Sequence, residues 1–261
     1  MSQRIRRDLL GLAPRATLPV PAVDAATMLA VDRLTTDGIG LSLLQMMENA
    51  GRELATLGRS AMGGEAEGRR VVVLAGSGNN AGGGLVAARR LAGWGASVTV
   101  LFAQPVLRLR PGPCAQLESV IASGSRLAVV GHDFSVEEAR REVRAADLVL
   151  DALIGYSLSG SPSEPYQGLI ALAAQTEAVV LSLDLPSGLD ASTGATPGVA
   201  IRADVTLAVA LPKLGTQLGH GPRLTGVQYL ADIGIPASAF REVGVEVGPI
   251  FSASGLIELA S

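Results

Sequence analysis

Three short polar stretches interrupt an otherwise apolar sequence, and each follows a run that reads as a buried strand. Gly76-Ser77-Gly78-Asn79-Asn80-Ala81-Gly82-Gly83-Gly84 follows Val71-Val72-Val73-Leu74-Ala75. Asp151 ends Leu148-Val149-Leu150 and precedes the Gly/Ser-rich stretch Gly155-Tyr156-Ser157-Leu158-Ser159-Gly160-Ser161. Asp184-Leu185-Pro186-Ser187-Gly188-Leu189-Asp190 ends a third run that begins at Val179. A glycine-rich stretch between strand and helix lets backbone N–H groups approach an anion. The tandem Asn79-Asn80 can reshape that turn or present oxygens to a ligand or cation. Two carboxylates, an amide and a hydroxyl at one sheet edge suit a hard cation, which prefers oxygen ligands. A carboxylate left free of the cation can act as an acid or base. For each stretch the alternative is turn or capping chemistry with no ligand.

The same residues exclude two common nucleotide sites. Gly76, Gly78 and Gly82 are spaced one residue wider than G-x-G-x-x-G. The acidic ribose reader expected about 20 residues on is missing, because the second strand ends Leu101-Phe102-Ala103-Gln104. An ordinary nicotinamide dehydrogenase is therefore disfavoured. The stretch has no Lys, so it is not a P-loop either.

The elements that must position these residues can be read from periodicity. Residues 1 to 22 read as a tail, with Pro14, Pro19 and Pro21 discouraging regular structure. Val23 to Leu57 turns helical, and Leu43, Leu44, Met47, Ala50 and Leu54 recur at close to a helical period. Strands are expected at Val71 to Ala75, Val98 to Phe102, Leu127 to Val130, Leu148 to Asp151 and Val179 to Asp184, then over Val205 to Ala210 and Val227 to Ile233. Helices are expected at Leu85 to Trp94, Ala115 to Ala122 and Leu169 to Gln175, with another opened by the Ser135/Glu138 capping box. Repeated βα units with short connections predict an α/β fold with a mostly parallel sheet, covered by helices on both faces. Residues 23 to 261 are expected to form one domain with an N-terminal helical cover. Ligands of such sheets bind beyond the carboxyl ends of the strands, where all three polar stretches fall.

Composition narrows the function classes. With 48% hydrophobic residues in 261, the chain can bury a substantial core. Aromatics at 3% argue against a stacking platform for single-stranded nucleic acid. The net charge is −3 and no Lys/Arg run provides a phosphate-backbone footprint. Arg4 to Arg7 reads as a solvated basic tail, and Leu9 to Leu12 is too short an apolar stretch for a signal peptide. No apolar run approaches the ~18 residues that span a bilayer. Cys114 is the single cysteine, so no intrachain disulfide can form, which fits a reducing, cytoplasmic compartment. Cys114 is read as structural, and His132 and His220 as surface or loop residues.

Taken in order, the motifs resemble those of the NAD(P)H-hydrate epimerases, the YjeF N-terminal domain family. The resemblance runs from about Val23 to Ile235. It is carried by Met47-Glu48-Asn49-Ala50-Gly51, by Gly78-Asn79-Asn80 with Leu85-Val86-Ala87-Ala88-Arg89, and by Asp151-Ala152-Leu153-Ile154-Gly155. It continues through Asp184-Leu185-Pro186-Ser187-Gly188-Leu189-Asp190 and Pro212-Lys213-Leu214-Gly215.

The resemblance implies a Rossmann-like three-layer fold, a homodimer, and interconversion of the R and S epimers of hydrated NADH and NADPH, with a separate dehydratase acting on the S form. It implies potassium held by Asn80, Asp151 and Ser187. It further implies substrate contacts from Asn79, Asn80, Ala81 and Gly82, from the Gly155 to Ser161 loop, and from Asp184. For the proton transfers that such an inversion requires, Asp184 is expected to be the catalytic acid/base. Gly83, counted with that substrate loop, stands where the family has Asp. This removes a carboxylate and predicts a more flexible loop. The resemblance leaves two other readings: a non-catalytic nucleotide-binding or scaffold domain, and an enzyme acting on another nucleotide-like substrate.

Overall fold

All seven expected strands form, and they pair in parallel. They are β1 (Arg70–Ala75), β2 (Ser97–Phe102), β3 (Arg126–Val129), β4 (Leu148–Ala152), β5 (Val179–Leu183), β6 (Val205–Val209) and β7 (Val227–Ala231). The computed structural model describes residues 12–259. An eighth strand, β8 (Leu256–Glu258), joins β7 antiparallel and completes the order β3-β2-β1-β4-β5-β6-β7-β8. Its three residues are too short to show an alternation in sequence.

Eight helices are assigned among the described residues: α1 (Ala25–Arg33), α2 (Leu43–Ala61), α3 (Asn79–Gly93), α4 (Pro111–Ala122), α5 (Val136–Arg144), α6 (Tyr166–Ala173), α7 (Gly221–Leu224) and α8 (Ala237–Glu242). Capping decides where several begin. Asp24 accepts from the Thr27 N–H to open α1, and Ser42 and Ser135 form full capping boxes with Gln45 and Glu138. A π-helical segment, Leu34–Ile39, carries the chain from α1 to Gly40, whose φ is +82°.

Two helix starts differ most from expectation. Helix α4 starts at Pro111 rather than Ala115, because proline is preorganised for a first helical turn. Helix α3 starts at Asn79 rather than Leu85, so Gly82, Gly83 and Gly84 lie inside a helix and not in a loop. The expected flexible glycine loop is therefore corrected. These glycines serve close approach: a Cβ on Gly82 would fall 2.4 Å from Met47 Sδ, and one on Gly84 would fall 2.5 Å from Ala152 Cβ. The helix-propensity cost of about 1 kcal/mol per glycine is offset by packing α3 tightly onto α2 and the sheet.

Alternation along β1 splits the core. Val71, Val73 and Ala75 face the side covered by α2 and α3, with Leu54, Leu57 and Leu85. Val72 and Leu74 face the other side, with Val143, Val149 and Leu169. Part of the stretch expected as a tail is pinned: Arg15 bridges Glu258, and Ala16 N–H donates to Glu258 O at 2.9 Å. The basic stretch Arg4 to Arg7 lies outside the described residues, as does most of Leu9 to Leu12. No helix among the described residues is long and apolar enough to cross a membrane.

Candidate active site

The strand order reverses between β1 and β4. From β1 the chain proceeds outward to β2 and β3, then returns to β4 on the other side of β1. Ligands of open α/β sheets bind at that switch point. Gly76, just past β1, sits so close to the end of β4 that a Cβ there would lie 2.0 Å from Leu153 O. Above this junction opens a cleft of about 850 Å³.

Asp151 lies beneath the cleft, fully buried in β4. Its Oδ2 accepts from Ser182 Oγ at 2.7 Å and Ser187 N–H at 2.9 Å. Its Oδ1 accepts from Ser187 Oγ at 2.6 Å and Leu153 N–H at 3.3 Å. Burial pushes this carboxyl above its usual range, against the pull of the four donors. No ammonium or guanidinium stands among its partners in the described residues. Asn80 stands in the first turn of α3, where its Nδ2 donates to Leu183 O at 3.3 Å.

Asp184 follows β5 and takes a φ of +72°, while Leu185 N–H bonds back to Leu183 O at 3.0 Å. This is a γ-turn of the strained, positive-φ kind. The adjacent strand β6 ends in the same way. Ala210 has φ +63°, and Leu211 N–H donates to Val209 O at 2.8 Å. The two turns face one another through a charge pair. Lys213 Nζ stands 2.5 Å from Asp184 Oδ1 and donates to Val209 O at 2.9 Å and Leu211 O at 3.0 Å. Lys213 is completely buried, so its ammonium is held by this charge contact and the two backbone carbonyls rather than by water. Asp184 Oδ2 accepts from Tyr156 N–H at 2.9 Å. Strain of this sort persists where the surroundings over-determine it, and it concentrates at functional sites.

Tyr156 carries the network across the cleft. Its ring lies 5.7 Å from Lys213 Nζ, and its hydroxyl donates to Asp32 of α1. Burial, then Asp32, push the phenol upward. Burial also raises the Asp32 carboxyl, opposed by the Tyr156 hydrogen bond and by Lys213 and reinforced by Asp184. Exposed Arg33 and Arg110 stand at the rim. Tyr166 steadies the β1 exit, with its hydroxyl 3.1 Å from Ser77 Oγ.

Most of the residues named from sequence meet here. Asn79, Asn80, Gly83, Gly155, Tyr156, Ser157, Leu158, Ser159, Ser161 and Asp184 line the cleft. Gly160 is exposed just outside its wall, whereas Ala81 and Gly82 are buried in α3. Asp151 and Ser187 are bonded to each other under the floor. Asp190 accepts from Ser192 and Thr193 and holds its own turn. His132 and His220 are exposed and lie away from the cleft. Cys114, read as a structural residue, is exposed as well.

Two cleft residues escaped the sequence reading. Lys213 had a signal, a lone cation set among Ala208, Val209, Leu211 and Leu214. Asp32 had none, since a carboxylate on an amphipathic helix reads as a solvated face.

A family model described as YjeF-related protein N-terminus matches residues 43–215. A protein of Dehalogenimonas lykanthroporepellens named NAD(P)H-hydrate epimerase is 40% identical over 227 residues, which cover 87% of each chain. A Salinibacter ruber protein named bifunctional NAD(P)H-hydrate repair enzyme Nnr is 38% identical over 83% of this chain, which spans 41% of that relative's length. Among solved structures, yeast ynu0 superposes with a TM-score of 0.77 over 92% of this chain and 100% of its own, at 23% identity, which speaks to the fold. On the extent of these matches, the chain belongs to the YjeF-related protein N-terminus family.

Proposed function

We propose that the chain is an NAD(P)H-hydrate epimerase, interconverting the R and S forms of hydrated NADH and NADPH. The observation that carries this reading is the buried Asp184–Lys213 pair at the floor of a nucleotide-sized cleft. It is supported by the 40% identity to a relative that bears that name.

The carbon to be inverted bears a hydroxyl beside the ring nitrogen. The nitrogen lone pair expels the hydroxyl as water, leaving an iminium ion, and water returns to the other face. Asp184 is the general acid/base for the oxygen, and its charge stabilises the cationic intermediate. Lys213 and the Tyr156 N–H fix the orientation of both carboxylate oxygens. The first turn of α3, with Asn79 and Asn80, approaches the anionic part of the substrate.

The residues suit a monovalent cation. Asp151 is a buried carboxylate without a cationic partner in the described residues, and its neighbours are oxygen donors. Asn80, Asp151 and Ser187 would hold potassium, which would balance the Asp151 charge and order the turns at the strand ends. The resemblance also supports two extensions of this reading, a homodimer and a link to a dehydratase. The bifunctional names of longer relatives favour that link. A reducing, cytoplasmic setting fits the single Cys114.

Gly83 does not weaken the reading. It lies within α3, where a Cβ would meet Leu183 Cδ2 at 2.7 Å. Leu183 occupies the space that a longer side chain at Gly83 would need.

The test is direct. R-enriched hydrated NADH is given to the purified chain in potassium buffer, and the approach to R/S equilibrium is followed by chromatography. Rapid equilibration is expected. A rate no faster than the spontaneous one, with folded protein, would refute the epimerase reading.

A further inference from the structure

Inversion by departure and return makes a geometric demand. The leaving oxygen exits one face of the ring and water enters the opposite face. A carboxylate fixed on one wall serves one face, and Asp184 is fixed by Lys213 on one oxygen and Tyr156 N–H on the other. A second proton carrier is needed on a different wall.

Tyr156 supplies the connection to one. Its backbone N–H holds Asp184, at the sheet edge, while its hydroxyl holds Asp32, on α1 in the helical cover. Both carboxylates line the cleft, one at each end of a single tyrosine. Glycosidases that invert a sugar carbon keep their two carboxyl groups about 6.5–9.5 Å apart to admit the attacking water. Opposite ends of a tyrosine impose the same kind of separation.

We propose that Asp32, acting through the Tyr156 hydroxyl, is the second proton-transfer group and serves the face of the substrate ring that Asp184 does not. The proposal rests on the epimerase reading above. The environments of the two carboxylates set them apart. Asp32 is raised by burial and holds its proton longer, whereas Asp184 stands beside an ammonium.

The balance closes. When Asp32 is protonated, it donates to the Tyr156 oxygen, and the phenol proton turns into the cleft. Tyr156 passes that proton to the leaving hydroxyl and takes one from Asp32. The C–O bond breaks with its electron pair on the departing water, and the nitrogen lone pair forms C=N. Water then adds on the Asp184 side, the C=N pair returns to nitrogen, and Asp184 takes the released proton. One proton has moved from Asp32 to Asp184, with no change in oxidation level. Reaction of the other epimer, or exchange with solvent, resets the pair.

The experiment measures inversion and oxygen-18 uptake together, on R-enriched hydrated NADH in labelled water. In the unmodified chain, label enters in step with inversion. Asp32→Asn and Tyr156→Phe should each slow inversion about 10²-fold or more, with KM little changed. Label exchange should fall much less and be confined to one epimer, because Asp184 alone still supports departure and return on its own face. Asp32→Glu should regain part of the inversion rate. A purely structural role would slow both readouts together. Parallel loss, or no loss, in an active chain would overturn this proposal and leave the epimerase reading standing. If Asp32→Asn fails to fold, Tyr156→Phe interrupts the same proton route and decides the question by the same two readouts. A chain that does not epimerise at all overturns both.

Discussion

Lys213 Nζ and Asp184 Oδ1 stand 2.5 Å apart, and neither group has meaningful contact with solvent. Two adjacent strands each end in a positive-φ turn, one presenting the carboxylate and the other the carbonyls that hold the ammonium. Charge, backbone strain and burial are therefore coupled at one point.

Removing either partner should be costly. Lys213→Met leaves a buried carboxylate without its cation, and stability should fall by about 3–5 kcal/mol. Lys213→Met combined with Asp184→Asn, which tolerates the positive φ, should recover much of that loss in urea denaturation, since no charge is then stranded. Additive losses would mean that the pair is not coupled.

Asp184→Asn strands the Lys213 ammonium and should lower stability, but its amide oxygen can still accept from Tyr156 N–H and hold the turn, so the variant is assayed under conditions where it is folded. Epimerisation should drop by about 10²–10⁴-fold. Activity near that of the unmodified chain in the chromatographic assay would remove Asp184 from the reaction.

Potassium should stabilise the folded chain. At about one hundred times its dissociation constant, a ligand adds about 2.7 kcal/mol. For a domain of this size each kcal/mol raises Tm by about 2–4 °C. The rise should appear in potassium chloride, not in choline chloride at equal ionic strength, and should shrink in Ser187→Ala. Identical melting in both salts would argue against a cation at Asp151.

Asp32 should leave a mark on stability against pH. Its folded carboxyl is raised, so the unfolded chain ionises first as pH climbs. The native state loses stability from the unfolded pKa, near 3.8, up to the folded pKa, and the loss then levels off. The stability of Asp32→Asn relative to the unmodified chain should therefore climb through that window and flatten above it. A flat difference between pH 3 and 8 would show that Asp32 is not perturbed.

Two glycines should respond to alanine in opposite directions. At Gly51 a Cβ would lie 2.4 Å from Val86 Cβ and 2.6 Å from Gly83 O, a backbone atom that cannot swing away. Gly51→Ala should cost about 1–3 kcal/mol by overpacking. At Gly93, the last residue of α3, nothing lies within 4 Å. Gly93→Ala should add about 0.4–1 kcal/mol. Denaturant midpoints of the two variants check both signs.

The sheet and the edge that carries the polar stretches could be read from the chain alone. Seven apolar runs forced seven strands, and the helices that separate most of them forced crossover connections and hence parallel pairing. Asp151 and Asp184 were legible because a carboxylate that ends a buried strand has only the carboxyl edge to occupy. The helical state of Gly82 to Gly84 was not legible, since glycine's local preference opposes a helix and only packing against Met47, Leu183 and Ala152 decides otherwise. The partners of Asp184 were not legible either. Lys213 lies beyond the next strand, and Asp32 lies in a helix far earlier in the chain. Local periodicity fixes which way a side chain points along its own element, but a contact between distant elements exists only after the sheet has been ordered and the helical cover has been laid across it. The pairing of Asp184 with Lys213, and its link through Tyr156 to Asp32 across the cleft, therefore arise only from the packing of distant elements.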